Sequence, residues 1–415
     1  MSVPATSEPF ASSAKVVALV SMAHFFSHFY LLLLPPLFPI LVDVYGVGFT
    51  ELGFALAAFS LISGLTQAPV GFLVDRYGAR GLLIAGVALE GAAFALVGVF
   101  PFYSALIALM VIAGLANAVY HPANYSILNA SVPDRRMGRA FSVHTTSGFL
   151  GDALAPVTVV ALLTVVMWDS VVIICGTAGV VMALLLLLNS SVLADATEIS
   201  RSEHAAAGKQ SGIKSRNGVA LLFSLPILTG LLFYIGISTY GRGITSFGPS
   251  VLHVGFGAPL ATATTIIACY LFASPVGVLA GGWIADHIKR HDVFAAACFV
   301  VVGTMVCIVA ATQLPLAVIG ILFAVAGFCS GLVAPSRDML IRALTPPGQI
   351  GKVFGFVSTG FNIGGIVAPP AFGMLLDHAE PNSVFWIAGL LAFATTATVL
   401  MTGQQSRRVK SAAVV

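Results

Sequence analysis

HPANYSILNASVPDRRMGRAFSVHTTSGFLGDALAP (121–156) and APSRDMLIRALTPPGQIGKVFGFVSTGFNIGGIVAP (334–369) are two copies of one stretch, 213 positions apart as Pro122 is from Pro335. Without a gap, Pro122 meets Pro335, Ala130 meets Ala343, Pro133 meets Pro346, Gly138 meets Gly351, Arg139 meets Lys352, Phe141 meets Phe354, Gly151 meets Gly364, and Ala155–Pro156 meets Ala368–Pro369. A register that preserves helix breakers and a basic turn together is the mark of duplication. The chain is therefore two related halves of roughly 200 residues.

Of the 415 residues 58% are hydrophobic and 8% charged, against roughly 25% charged in a soluble domain. The apolar runs reach the roughly 18–20 residues that cross a bilayer as helix, and they are continuous rather than alternating, which excludes a transmembrane barrel. The sequence predicts an all-α polytopic membrane protein with helices at 15–42, 50–74, 81–99, 103–130, 138–164, 169–191, 219–249, 258–285, 293–311, 315–341, 351–376 and 382–402. A tail (1–14) precedes a six-helix bundle (15–191). A polar linker (192–218) leads to a second bundle (219–402) and a disordered tail (403–415). Pro35, Pro36 and Pro39 predict a kink in the first helix, because proline removes a backbone donor. The five cysteines lie in apolar stretches without ligand spacing, and imply neither disulfides nor zinc.

The charges set an orientation. Except for Arg242 and Arg337, every lysine and arginine falls in the termini, the linker or the connections 2–3, 4–5, 8–9 and 10–11, while the opposite connections carry Asp43, Glu51, Asp169, Asp377 and Glu380. By the positive-inside rule both termini are expected in the cytoplasm.

GFLVDRYGAR (71–80), echoed by GGWIADHIKR (281–290), resembles the signature loop of the major facilitator superfamily. More narrowly, SHFYLLLLPPLFPILVDVYGVGFTELGFAL (27–56), YHPANYSIL (120–128) and GRAFSVHTTSGFLGDALAP (138–156) resemble its fosmidomycin-resistance-like branch, whose members are mostly regarded as exporters of drugs or small anions. The resemblance implies two pseudo-symmetric bundles around a cavity lined by helices one, four, seven and ten, opening alternately to each side. It also implies a bacterial-type inner membrane. Gly148, Gly151 and Pro156 resemble the helix-five pattern of superfamily exporters, which favours export.

An ionisable side chain inside a span is costly unless it faces a cavity or a partner, so each is a candidate. Arg242 and Arg337 stay charged and present a fork suited to carboxylate or phosphonate, and the surrounding spans offer no equal count of carboxylates. His24 and His28 lie one turn apart. With His121, Asn124, Tyr125 and Tyr240 they are the expected lining of a polar cavity. The coupling proton is expected on Asp152, His121, His144, Glu90 or Asp338, since histidine titrates near neutral pH and burial brings a carboxyl towards it. Each has a packing alternative: Arg337 pairing with Asp338, Arg242 capping broken backbone, Glu90 buried outside the cavity. Asp75, Arg76, Arg80, Asp286 and Arg290 are expected to pair across the helix ends as gates, unequal in strength because His287 stands where the first half has Arg76.

The remaining function classes lack parts. There is no GxxxxGK[ST] phosphate loop, no dinucleotide fingerprint and no basic surface beyond the topological charges. No enzyme activity, cofactor, resident metal or nucleic acid is expected. The expected partners are a small, anionic substrate, protons and the bilayer, with the chain a monomer. Proton-coupled export is the primary reading, proton-coupled carboxylate uptake the alternative, and a non-transporting receptor a third.

Overall fold

The computed structural model describes residues 10–193, 221–345 and 350–412, and these contain helices and no strand. The first crossing is α1 (Phe10–Leu31), a 3-10 turn (Pro35–Leu37) and α2 (Phe38–Tyr45). The expected kink is that turn, where Pro35 and Pro36 have no N–H to donate. Then come α3 (Phe49–Tyr77) and α4 (Ala79–Val99). The fourth crossing is broken into α5 (Tyr103–Asn117) and α6 (Tyr120–Ser131), and α7 (Asp134–Leu163) and α8 (Trp168–Leu188) complete the first half. The second half begins with α9 (Leu225–Thr245) and α10 (Gly248–Phe256), which form one crossing. It continues through α11 (Leu260–His287), α12 (His291–Ala311), α13 (Leu316–Leu344), α14 (Ile350–His378) and α15 (Asn382–Ala412).

Eleven of these crossings are long and apolar enough to span a bilayer on that ground alone. The twelfth is α9, whose second half reads Ser238, Thr239, Tyr240, Gly241, Arg242. It is the least lipid-like crossing because it carries the most deeply placed arginine. The helices outrun their expected ends. α1 begins inside the stretch read as an N-terminal tail. The reading of 403–415 as a disordered tail is corrected, since α15 continues to Ala412. Arg407 there donates to Asp292 Oδ2 at 2.6 Å, tying the extension to α12. Most of the expected linker, from 194 onward, lies outside the described residues.

Within the first half α1 packs on α7, α4 on α8, and α3 and α4 on α5. Within the second, α11 packs on α13, α12 on α13 and α15, and α9 on α14 and α15. The halves meet along two repeat-related pairs, α3 with α14 and α7 with α11. At the acidic end, the end of Asp43, Glu51 and Asp377, the α3–α14 seam is tight. Gly53 lies against the Pro369 carbonyl and Gly373 against that of Phe49, so backbones touch where a side chain would hold them apart. Phe38 also meets Phe247 across the halves, rings 5.6 Å apart. The seam continues to Gly64, where a Cβ would stand 3.1 Å from Asn362, and then ends. At Gly71 on α3 and Gly355 on α14, near the basic end, a Cβ would meet nothing. The halves are thus closed at the acidic end and apart at the basic end.

One carboxylate clamps the closed end. Asp377, at the end of α14, accepts from the Phe49 and Thr50 backbone N–H groups (2.8 Å each) and from Thr50 Oγ1 (2.6 Å). An anion from one half thereby satisfies the orphan donors and the positive dipole end of a helix of the other. Glu51 takes the neighbouring N–H, that of Gly48, at 3.0 Å. Asp377→Ala removes three such bonds. Hydrogen bonds to charged groups are worth about 1.5–3 kcal/mol, less at an exposed site. The variant is expected to raise the population open at the acidic end roughly tenfold, read as faster maleimide labelling of a cysteine in place of the buried Ala57, one turn on from Gly53; unchanged labelling would show that the clamp is not what holds this end.

Candidate functional site

Four histidines converge in the first half. His24 of α1 stacks on His144 of α7, centroids 3.9 Å apart and planes 16° from parallel. His28, one turn on, lies 4.7 Å from His24, and His121 of α6 lies 5.3 Å from it. The approach is possible because α7 presents Gly148, where a Cβ would stand 2.9 Å from His24 Nε2 and 3.0 Å from His28 Nε2. His28 Nδ1 is 2.9 Å from Asp152 Oδ2. Tyr125 flanks the cluster, 5.8 Å from His121 and 5.7 Å from His144. His24 and His144 are buried, and neither ring nitrogen of His144 has a hydrogen-bond partner among the described residues. No group of three or more His, Cys, Asp or Glu among the described residues has the geometry to hold a metal ion. What the arrangement provides is four imidazole rings in contact, one of them paired with a carboxylate.

Arg242 faces this cluster from the second half. Asp152 is the carboxylate whose charge acts on it across the interface. Arg242 lines a narrow cavity with Tyr30, Leu56, Phe59, Ser60 and Met110. The space by its guanidinium is kept open by Gly365: a Cβ there would stand 2.8 Å from Ser60 Oγ and 3.9 Å from Arg242 Nη2. Gly365 is the repeat counterpart of Asp152, so both related positions look onto one arginine.

The other expected residues separate. Arg337 Nε donates to Asp338 Oδ1 at 2.8 Å, and the guanidinium lies over the rings of Tyr234 (5.0 Å) and Phe361 (5.4 Å). Tyr234 donates to the same Asp338 oxygen at 3.2 Å. Arg337 is thus paired within its own half, as the packing alternative held. Asn124 is fully buried in α6, its amide atoms unpartnered among the described residues, and Tyr240 is buried against Ser330 at 3.1 Å; in this conformation neither faces the Arg242 cavity. Glu90 of α4 is fully buried and accepts from Asn117 Nδ2 at 3.0 Å. Near the basic end Arg290 and Arg407 both clasp Asp292, and Arg80 donates to the Ser190 carbonyl at 3.3 Å. Arg76 lies over the adjacent Tyr77, and Asp75 and Asp286 are exposed. The bonds seen at these expected gate residues run within a half, as befits an end at which the halves stand apart. Sequence reasoning missed Ser60, Gly365 as a spacer, and Asn117. The last had a signal, since it immediately precedes the break in the fourth crossing.

The sequence profile of the Major Facilitator Superfamily matches residues 20–323 and again 235–413, and the chain belongs to that family. Among curated relatives, the fosmidomycin resistance protein of Escherichia coli K12 is 24% identical over 405 residues, 94% of this chain and 93% of that protein. The D-galactonate transporter of Escherichia coli O6:H1 is 24% identical over 388 residues, covering 88% and 90%. Among solved structures, a bacterial homologue of the human lysosomal transporter Spinster, in an inward-facing and unoccupied conformation, superposes with a TM-score of 0.72 over 96% of this chain and 98% of that one, at 13% identity. The chain is a multi-pass membrane protein of a transporter family.

The α1–α7 contact that assembles the histidines rests on Gly151, which abuts the Phe25 carbonyl, as well as on Gly148. Backbone cannot step aside as a side chain can, so Gly151→Leu is expected to lower stability by about 1–3 kcal/mol, the usual cost of overpacking. This would be seen as a fall in melting temperature in detergent, with Gly81→Ala, which meets open space, as the unaffected control.

Proposed function

We propose that the chain is a proton-coupled secondary transporter that moves a small organic anion or amphiphilic drug through a bacterial inner membrane by alternating access, the direction set by the charge of the solute. The observation that carries this is Arg242. It is a permanent cation set between the halves and beside a cavity, with no side-chain hydrogen bond to a carboxylate among the described residues and a titratable His28–Asp152 pair facing it. A guanidinium so placed is suited to a bidentate oxyanion. His24, His28, His121 and Tyr125 supply neighbouring polar groups, and Arg337 belongs to the access route. With the basic end in the cytoplasm, the conformation described is open to the cytoplasm and closed outside. The solved neighbour's inward-facing state and the relative named for fosmidomycin resistance accord with this reading.

The electrostatics sort the two directions by substrate charge. A proton added to His28–Asp152 makes that wall one unit more positive, so proton and anion favour each other's binding, and by linkage the effect is reciprocal. An anion on Arg242 then travels with the proton, which is the uptake reading; D-galactonate, for which one relative is named a transporter, is an anion of this kind. An amphiphilic cation that competes with the proton at Asp152 is instead exchanged for it and exported.

Purified protein in proteoliposomes containing a pH-sensitive dye, given a proton gradient and challenged with small organic anions and cationic drugs, separates these outcomes. Arg242→Ala is expected to lower anion-driven proton movement by about a hundredfold, equivalent to about 2.7 kcal/mol and within the range for a lost charged hydrogen bond. Arg337→Ala, already paired to Asp338, is expected to cost less than tenfold. His28→Ala and Asp152→Asn should each uncouple protons from substrate. Wild-type anion flux in Arg242→Ala would sink the assignment.

A further inference from the structure

Glu90 has no part in the site just described, yet its surroundings are built. It is fully buried in α4. Its Oε1 accepts from Asn117 Nδ2 at 3.0 Å. The Tyr120 hydroxyl lies beside the carboxyl, and among the described residues neither that hydroxyl nor Glu90 Oε2 makes a hydrogen bond. Asn117 is the last residue of α5 and Tyr120 the first of α6, so the one carboxyl touches both sides of the break in the fourth crossing. His121 is the next residue. Pro122 withholds the N–H that would have bonded to the Ala118 carbonyl, so the backbone across the break is weakened at the place the carboxyl bridges. Asn117 also accepts from Ser63 Oγ (3.3 Å) and reaches the Ser27 carbonyl (3.4 Å), and Ser27 Oγ lies 3.3 Å from His24 Nδ1.

From this geometry we infer that Glu90 is a positioning residue: it staples the two segments of the fourth crossing and so sets His121 in the histidine cluster, rather than carrying the transported proton. Among the described residues the titratable groups set against it are Tyr30 from α1 and Tyr120 from α6, both neutral hydroxyls, with the Asn117 amide from α5. An ionised carboxylate in such a dry site has no counter-charge, and the group stays protonated instead. Oε1 accepts from Asn117, and a proton carried on Oε2 has the Tyr120 oxygen beside it as its nearest acceptor.

The inference rests on the transport reading only for its effect on flux; the staple itself is read separately. Glu90→Gln preserves one acceptor and one donor and is expected to retain wild-type flux, its pH profile, and wild-type amide exchange in 114–128. Glu90→Leu removes the Asn117 bond and the polar contact with Tyr120, and Tyr120→Phe the polar contact alone, without adding bulk across the break. Exchange in 114–128 is expected to rise at least tenfold in Glu90→Leu and less in Tyr120→Phe, with a matching graded loss of flux. A Glu90→Gln variant that folds but loses or shifts the pH dependence of transport would overturn the inference, because the carboxyl would then be titrating. So would unchanged exchange in both Glu90→Leu and Tyr120→Phe. Should Glu90→Leu fail to fold, Glu90→Gln and Tyr120→Phe still decide. If the wild type carried no flux at all, the transport reading would fail while exchange continued to report on the staple.

Discussion

A charge inside a membrane protein must be answered by another charge, by a ring of donors or acceptors, or by water, since low dielectric makes an unanswered one cost several kcal/mol. Much of this structure follows from where the answers come from. Arg337 is answered by its neighbour Asp338 and two aromatic faces. Arg290 and Arg407 share Asp292. Glu90 has no cation among its partners and is answered by losing its charge. Arg242 is answered at a distance, by Asp152 across the interface, with a cavity on one side. That is the ground on which the proposed anion site is placed there.

Duplication explains the architecture, and divergence between the copies explains the chemistry. Asn124 and Tyr125 of the first copy stand where the second has Arg337 and Asp338, and Asp152 stands where the second has Gly365. The titratable histidines and their carboxylate gather in the first half and the permanent cations in the second. A site that two such halves close around changes its charge balance whenever a proton binds one wall. That is what the proposed coupling requires, and the asymmetry behind it is that equivalent positions no longer carry equivalent residues.

The fold was legible because its signals are local: run lengths, breakers, and a repeat whose register survives without gaps. Partnerships were legible only where sequence distance is short, as for Arg337 with Asp338, or where helical spacing puts two groups on one face, as for His24 with His28. The stacking of His24 on His144 depends on the meeting of α1 and α7, which Gly148 permits but does not announce. Asn124 was drawn towards the cavity by adjacency to Tyr125, yet successive helical residues point about 100° apart, and Asn124 turns into the bundle while Tyr125 is exposed. The helical ending of the chain was hidden by its polar composition, because its holding contact, Arg407 with Asp292, spans 115 residues.

The two ends of the molecule are governed by different contacts, and this bears on how it moves. At the acidic end a carboxylate of one half caps a helix of the other and backbones touch through glycine, so opening must break hydrogen bonds and separate a dry seam. At the basic end the bonds seen at the signature residues lie within halves, so charges there are already satisfied while the halves stand apart. Closing that end therefore has to trade existing partners for new ones across the gap, an exchange with little net gain. An alternating machine needs its two closed states to differ by only a few kcal/mol, and a seam that is strong at one end and exchangeable at the other leaves the balance to be tipped between them, at the wall where Asp152 meets Arg242.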